Sequence, residues 1–273
     1  MRKSIWWVVG ALILASAAVL LYSWRTSHVA PHAPAIQAKL PKPATPAPAV
    51  QNPVPAPSAS QTQSLPSLAD SDSPVHDALN MLIGEAATTH LFKPDMIVRH
   101  LVVTIDNLSR KRAELELRPV RPVPGQFMVK GDDQHAVVDP ANYQRYTPYV
   151  QALQMIDVKQ LVQVYFHFYP LFQQAYQNLG YPNGYFNDRV VETIDNLLET
   201  PDASGDIALV RPNVMYQYAD PMLENLSAGQ KMLVRMGPQN EAAVKAKLKE
   251  LRAAIADRSR GGDNGRTRNG AGG

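Results

Sequence analysis

The chain contains no cysteine in its 273 residues. That excludes a disulfide, a thiolate zinc site, a thiol nucleophile and a lipid-modified cysteine as anchor. Acidic residues and aromatic rings are both missing between Pro31 and Pro66. No Gly-x-Ser-x-Gly, phosphate loop or dinucleotide fingerprint occurs. The seven histidines show no metal spacing: His28 and His32 precede the acid-free stretch or open it, and His76, His90, His100, His135 and His167 are scattered. No cofactor, metal site or catalytic residue is therefore expected.

What is present begins at the N-terminus. Ile5–Trp24 is a run of 20 residues without a charge. At helical rise it covers about 30 Å, the thickness of a bilayer's hydrocarbon core. Trp6, Trp7, Tyr22 and Trp24 sit at its ends, where amphipathic rings prefer the headgroup boundary. Arg2 and Lys3 precede it and Arg25 follows, so the positive-inside rule leaves residues 1–4 in the cytoplasm and the rest outside. A cleaved signal peptide, with Ala15-Ser16-Ala17 as the cleavage pattern, is the competing reading. A retained anchor accounts for the whole run, including Ala18–Tyr22.

Residues 25–66 read as a disordered proline/alanine tether, with ten prolines from Pro31 to Pro66. Such a stretch has too little apolar surface to offset its ordering entropy. It is expected to act as a spacer at about 3.1 Å per residue.

The overall charge of +3 hides an asymmetry. Ser67–Asp257 holds 18 Lys and Arg against 23 Asp and Glu, a net of −5. An acidic domain argues against sequence-independent nucleic-acid binding, which needs clustered cations. The glycine-rich tail, 258–273, carries Arg258, Arg260, Arg266 and Arg268 and reads as disordered.

Residues 67–257 suffice for one domain with a core. The pattern predicts a mainly α fold with a small β-hairpin. A helix capped at Asp72 runs to Gly84, and Lys93-Pro94-Asp95 opens the next. Phe127–Val129 and His135–Val138, split by Gly131-Asp132-Asp133, form the hairpin. Pro140–Met155 is helical. Asp157–Leu179 is the longest helix, closed by Gly180, with Pro170 bending or splitting it. Asn187 or Asp188 caps a helix over Arg189–Glu199. Ile207–Tyr218 is extended. Ser227-Ala228-Gly229-Gln230 is a capping box, and Gly237-Pro238 stops one helix and starts the last, through Ala256.

Thr104-Ile105-Asp106-Asn107-Leu108 recurs letter for letter as Thr193-Ile194-Asp195-Asn196-Leu197. Each copy is followed by an Arg-Pro, Arg121-Pro122 and Arg211-Pro212, then by a tyrosine pair and two helices, with Pro170 and Pro238 in comparable places. The shared order points to two pseudo-repeated helical halves, 67–156 and 157–257, packed about a common core.

Tyr165, Tyr169, Phe172 and Tyr176 share one helical face. Core packing explains such a stripe; lining a groove with hydroxyls is the sharper alternative. Tyr181-Pro182-Asn183-Gly184-Tyr185 has turn chemistry, with Asn183 and Gly184 suited to positive φ. Asn187 and Asp188 follow at a helix start, where free amides can hold an anion. This loop, with Arg211, Tyr216 and Tyr218 as neighbours, is the best partner-binding candidate. Asp106 and Asp195 each lie near a helix C-terminus, an unfavourable place for a negative charge, and call for a partner such as an arginine.

The run Tyr169–Tyr176 with Leu179–Arg189, followed by Leu209-Val210-Arg211-Pro212, Leu226–Lys231 and Arg235–Pro238, resembles the bacterial domain-of-unknown-function 3014 family. The resemblance spans about Leu68 to Ala256. It implies a single-pass envelope protein of Gram-negative bacteria: anchor, Pro/Ala-rich stretch, then this domain. It supplies no catalytic residues. The expectation is a non-enzymatic module anchored in the inner membrane, its domain periplasmic, that binds an envelope protein or cell-wall partner. The rivals are an envelope hydrolase using carboxylates such as Asp188 and Asp220, and a small-ligand sensor with its site between the halves.

Overall fold

The computed structural model describes residues 49–54, 65–112, 115–132 and 134–268. The expected membrane helix at 5–24 and most of the tether lie outside the described residues. Among the described residues, no helix is long and apolar enough to cross a membrane.

Ten α-helices and two short antiparallel hairpins occur among the described residues. Helices α1 (Asp72–Ile83) and α2 (Glu85–Leu91) come first. Gly84, at φ 84°, ends α1 and separates the two. Asp72 does not cap its own helix. Its carboxylate accepts the amides of Met96 and Ile97 at 2.7 and 2.8 Å, and so caps α3 (Ile97–Leu108) from outside. That corrects the expected start at Lys93: Met96 at φ 50° turns the chain into α3, and the cap comes from 24 residues earlier.

From α3 onward the order of elements repeats. The first series is α3, hairpin β1 (Val129–Lys130) and β2 (Val137–Val138), α4 (Ala141–Gln144), α5 (Thr147–Met155) and α6 (Val158–Asn178). The second is α7 (Phe186–Leu198), hairpin β3 (Leu209–Val210) and β4 (Gln217–Tyr218), α8 (Pro221–Glu224), α9 (Ala228–Met236) and α10 (Pro238–Arg268). Helices α4 and α8 are both 4 residues long, and α5 and α9 both 9. In this order α6 falls with the first series, whereas the expected halves meet at 157. Both series lie within one compact unit, 47–273.

The long helices supply the main core. α3 packs on α6 and α7 on α10, while α3 meets α7 and α6 meets α10. The aromatic stripe of α6 lies inside, with Tyr169, Phe172 and Tyr176 buried beside Phe186, Ile97 and Ile255. Pro170 sits inside α6 without splitting it. A proline removes one backbone donor, and burial of the flanking Tyr169, Leu171 and Phe172 holds the helix together around that loss. Pro238 instead opens α10, so the two prolines are not in comparable places. The longest helix is α10, which continues past Ala256 to Arg268 because extending an existing helix costs far less than nucleating one.

The hairpins build a second core. Val129 pairs with Val138, and Leu209 with Tyr218. Val138 N donates to Ile207 O at 2.9 Å and Leu209 N to Ala136 O at 2.7 Å, so β2 and β3 join the hairpins into one patch. Ala136, Val138, Ile207, Leu209, Tyr218 and Val234 close over it.

Candidate functional site

The turn between α6 and α7 is built from glycine and glutamine. Gly180, at φ 111°, lets the chain leave α6. Gly184 is needed for space rather than for positive φ: a Cβ there would lie 2.8 Å from Cε1 of Tyr176. Gln173 of α6 brackets the turn. Its Nε2 donates to Gly184 O at 2.7 Å, and its Oε1 accepts Phe186 N at 2.8 Å and the Tyr169 hydroxyl at 2.9 Å. Asn187 N points at the Tyr169 hydroxyl, 3.4 Å away. α7 thus starts at Phe186, earlier than expected, with Asn187 and Asp188 in its first turn rather than as caps. Its first amides are already occupied by acceptors from α6, so they are not free for an anion.

What faces outward is a set of acceptors, and part of the tether fills it. Asp188 Oδ1 accepts Asn52 N at 2.7 Å and Asn52 Nδ2 at 2.9 Å, and Oδ2 accepts Gln51 N at 3.1 Å. Asn187 Nδ2 donates to Asn52 O at 2.9 Å. The Tyr185 hydroxyl accepts Val54 N at 2.6 Å. Asn52 and Val54 are half-buried while Gln51 and Pro53 are exposed, and the chain bends at Gln51 and Asn52 so that their successive amides meet one carboxylate. Val54 packs on the main core. The expectation that all of 25–66 is a free tether is corrected at residues 51–54.

The groups behind this notch are fixed. Asn187 is fully buried, and its Oδ1 accepts the Tyr165 hydroxyl at 2.8 Å, which orients Nδ2 toward Asn52. Burial pushes the hydroxyls of Tyr165 and Tyr169 well above the usual phenol range, so both stay protonated. The stripe is thus core, and two of its hydroxyls also support the notch. Three of the five bonds to the segment end on a carboxylate, worth about 1.5–3 kcal/mol each, and two are neutral at about 1 kcal/mol each. Ordering four backbone residues costs roughly 1–2 kcal/mol apiece. The two sides agree within a few kcal/mol, and packing of Val54 on the core adds to the holding side.

Tyr181 belongs to a different network. Its ring stacks on Tyr176 at 4.6 Å, and its hydroxyl donates to Asp106 Oδ2 at 3.2 Å. Asp106 also receives Arg110 Nη2 at 2.8 Å and Arg189 Nε at 3.1 Å. Asp195 pairs with Arg252 at 2.9 Å. Each repeated aspartate has the arginine partner that its place in the helix called for.

A groove of about 620 Å³ continues from the notch, with Gln51 and Asn52 in its wall. Asp188, Glu192, Asp195 and Glu199 line it from one face of α7, opposite Arg252. The remaining expected contacts lie elsewhere. Asn183 is exposed on the turn. Arg211 is exposed in the second hairpin, 5.3 Å over the Tyr216 ring. Tyr216 packs against the second core, and Tyr218 is buried in it at 4% exposure, which removes it as a contact residue. Tyr181 packs on the main core, as does the ring of Tyr185 beneath the hydroxyl that holds Val54. Asp220 caps α8 through Met222 N at 2.8 Å. The sequence reading missed Gln173, Arg189 and the segment 51–54. One signal was available: Asn52 is the only asparagine between residues 25 and 66.

The family model described as protein of unknown function (DUF3014) matches residues 97–252, beginning at the first residue of α3 and ending within α10. No curated protein and no solved structure gives a significant match to the chain.

Proposed function

The chain belongs to the DUF3014 family, whose description assigns no activity, and we propose from its own residues that it is a membrane-anchored binding module of the bacterial envelope. Residues 5–24 anchor it in the inner membrane, the Pro/Ala-rich stretch spaces it from the bilayer, and the helical domain meets a protein partner on the periplasmic side. The observation that carries this reading is the notch at the start of α7. Tyr185, Asn187 and Asp188 hold residues 51–54 through five hydrogen bonds, four to the backbone and one to the Asn52 side chain. Capture of a short segment largely through its backbone is a recurring mode of protein recognition.

The hydrolase alternative is less well supported. Asp188 spends both oxygens on amides of residues 51 and 52, and Asp220 caps a helix, so neither is positioned as an acid or base.

Two measurements test the module. A reporter active only in the periplasm, fused after Gly273, should be active; a silent fusion with an active cytoplasmic reporter overturns the placement. A photo-crosslinking residue at Glu192, whose side chain is 64% exposed in the groove, should capture one discrete partner in intact cells. Capture from the α1–α2 surface instead, with none from Glu192, overturns the site.

A further inference from the structure

We infer that the notch recognises short segments of the form Asn-Pro-aliphatic, that Gln51–Val54 is its resident occupant, and that an Asn-Pro segment of a partner protein exchanges with it. This rests on the binding-module reading and names its ligand class.

Each position of the segment meets a matching group. The asparagine presents two donors, its backbone N and its Nδ2, to a single oxygen of Asp188 at 2.7 and 2.9 Å. An aspartate there would set carboxylate against carboxylate, and a glutamine would carry its amide one methylene too far. The proline is asked for no donor, since Asn187 holds the carbonyl before it and Tyr185 the amide after it. A fixed φ at that position lowers the ordering cost of binding. The valine turns inward onto the main core while Pro53 stays exposed. On the receiving side, fully buried Asn187 and the Tyr165 hydroxyl are already in place.

The resident segment competes by proximity. Ten residues, 55–64, connect Val54 to Leu65, and a short connection sets an effective concentration in the millimolar range. A free peptide making the same contacts must overcome that. Weakening the chain's own segment should therefore raise its apparent affinity.

The experiment uses the full-length chain and a fluorescent peptide of residues 49–56, read by anisotropy. The Asn52→Ala/Val54→Ser chain should bind the peptide at least about tenfold more tightly than wild type, the factor that loss of one charge-assisted bond produces. Adding Asp188→Ala should abolish binding. Replacing the peptide's asparagine by alanine should weaken it about tenfold or more. Absence of binding by a variant that melts like wild type, or indifference to the asparagine, overturns the inference. If that variant does not fold, hydrogen exchange on wild type decides. Excess peptide should strip protection from the Asn52 and Val54 amides, and unchanged protection overturns the exchange. Crosslinks from Glu192 in cells without peptide binding would keep the module and sink this ligand class. Peptide binding without cellular capture would keep the ligand class and sink the module.

Discussion

Two aspartates occupy the same letter of the same five-residue motif, at the same place in two matching series of elements, yet they live in different surroundings. The Asp106 side chain is 6% exposed, and Arg189, 13% exposed, reaches it from the other series. The Asp195 side chain is 47% exposed and meets an Arg252 that is 33% exposed. Thr193 of the second copy donates to Ile105 O of the first at 3.1 Å, so the copies touch. Identical sequence thus fixes the helix and its crossing, while burial fixes what the charge is worth. The first copy locks α3 to the start of α7, directly behind the notch. The second faces the groove.

The largest effect should come from Asp106→Ala. It removes the buried one of the two carboxylates that Arg189 meets, leaving Glu192 Oε1 at 2.8 Å, and it removes the acceptor for the Tyr181 hydroxyl. Breaking a buried pair from one side costs about 3–5 kcal/mol. Denaturant unfolding followed by circular dichroism measures it, and a loss below about 1 kcal/mol would place this pair among ordinary surface pairs.

Gly229→Ala tests the contact the copies share. A Cβ there would lie 2.5 Å from Leu197 Cδ2 and 3.0 Å from Leu108 O, the closing leucines of both motifs. The Leu197 side chain can move but the Leu108 carbonyl cannot, so overpacking should cost about 1–3 kcal/mol. The corresponding helix offers a contrast: α5 and α9 both pack on α10, but α5 also meets α1 whereas α9 also meets α3, α4 and α7. An unchanged melting temperature would show that the copies are not clamped at this point.

Acid should weaken the fold through Glu224 of the second series. Its four-residue helix α8 ends in Glu224 where α4 ends in Gln144. Burial alone would raise the Glu224 pKa, but the Lys231 ammonium and the Tyr218 amide outweigh it and hold it below the ordinary 4.5. A depressed carboxylate stabilises the fold above its unfolded pKa, and that contribution is lost as pH falls through the folded value. Wild type and Glu224→Gln should therefore differ in unfolding midpoint at pH 7 and converge toward pH 3. A gap independent of pH would remove Glu224 as the cause.

Local chemistry was legible in the sequence and long-range chemistry was not. The capping box appears as read, with Ser227 and Gln230 bonded reciprocally, and Gly237-Pro238 separates α9 from α10. The first hairpin and the aromatic stripe follow from spacing alone. The five-letter match lies on α3 and α7, the helices that open the two like-ordered series, and nothing comparable in the letters links α6 to α10. Asp72 capping α3, Gln173 bracketing the turn and Asp188 holding Asn52 span 24, 13 and 136 residues. No periodicity encodes such pairs. Tyr185, Asn187 and Asp188, singled out in the sequence, do meet at the start of α7, but the amides there are occupied rather than free, because their acceptors lie on α6.

The smallest expected effect completes the contrast. Arg252 meets Asp195 through two bonds, Nε to Oδ1 at 2.9 Å and Nη2 to Oδ2 at 3.1 Å, a geometry that favours the pair. Exposure works against it, since a solvated pair contributes about 0.2–1 kcal/mol. Asp195 also lies in the last turn of α7, where a negative charge opposes the helix dipole by about 0.3–1 kcal/mol. Asp195→Ala removes both terms together and should fall within about 0.5 kcal/mol of wild type. Arg252→Ala should cost more, because it leaves the misplaced charge without its partner. A double-mutant cycle separates the two terms. If Asp195→Ala proves as damaging as Asp106→Ala, burial does not set the difference between the copies, and the letter-for-letter identity of the motif carries the energy instead.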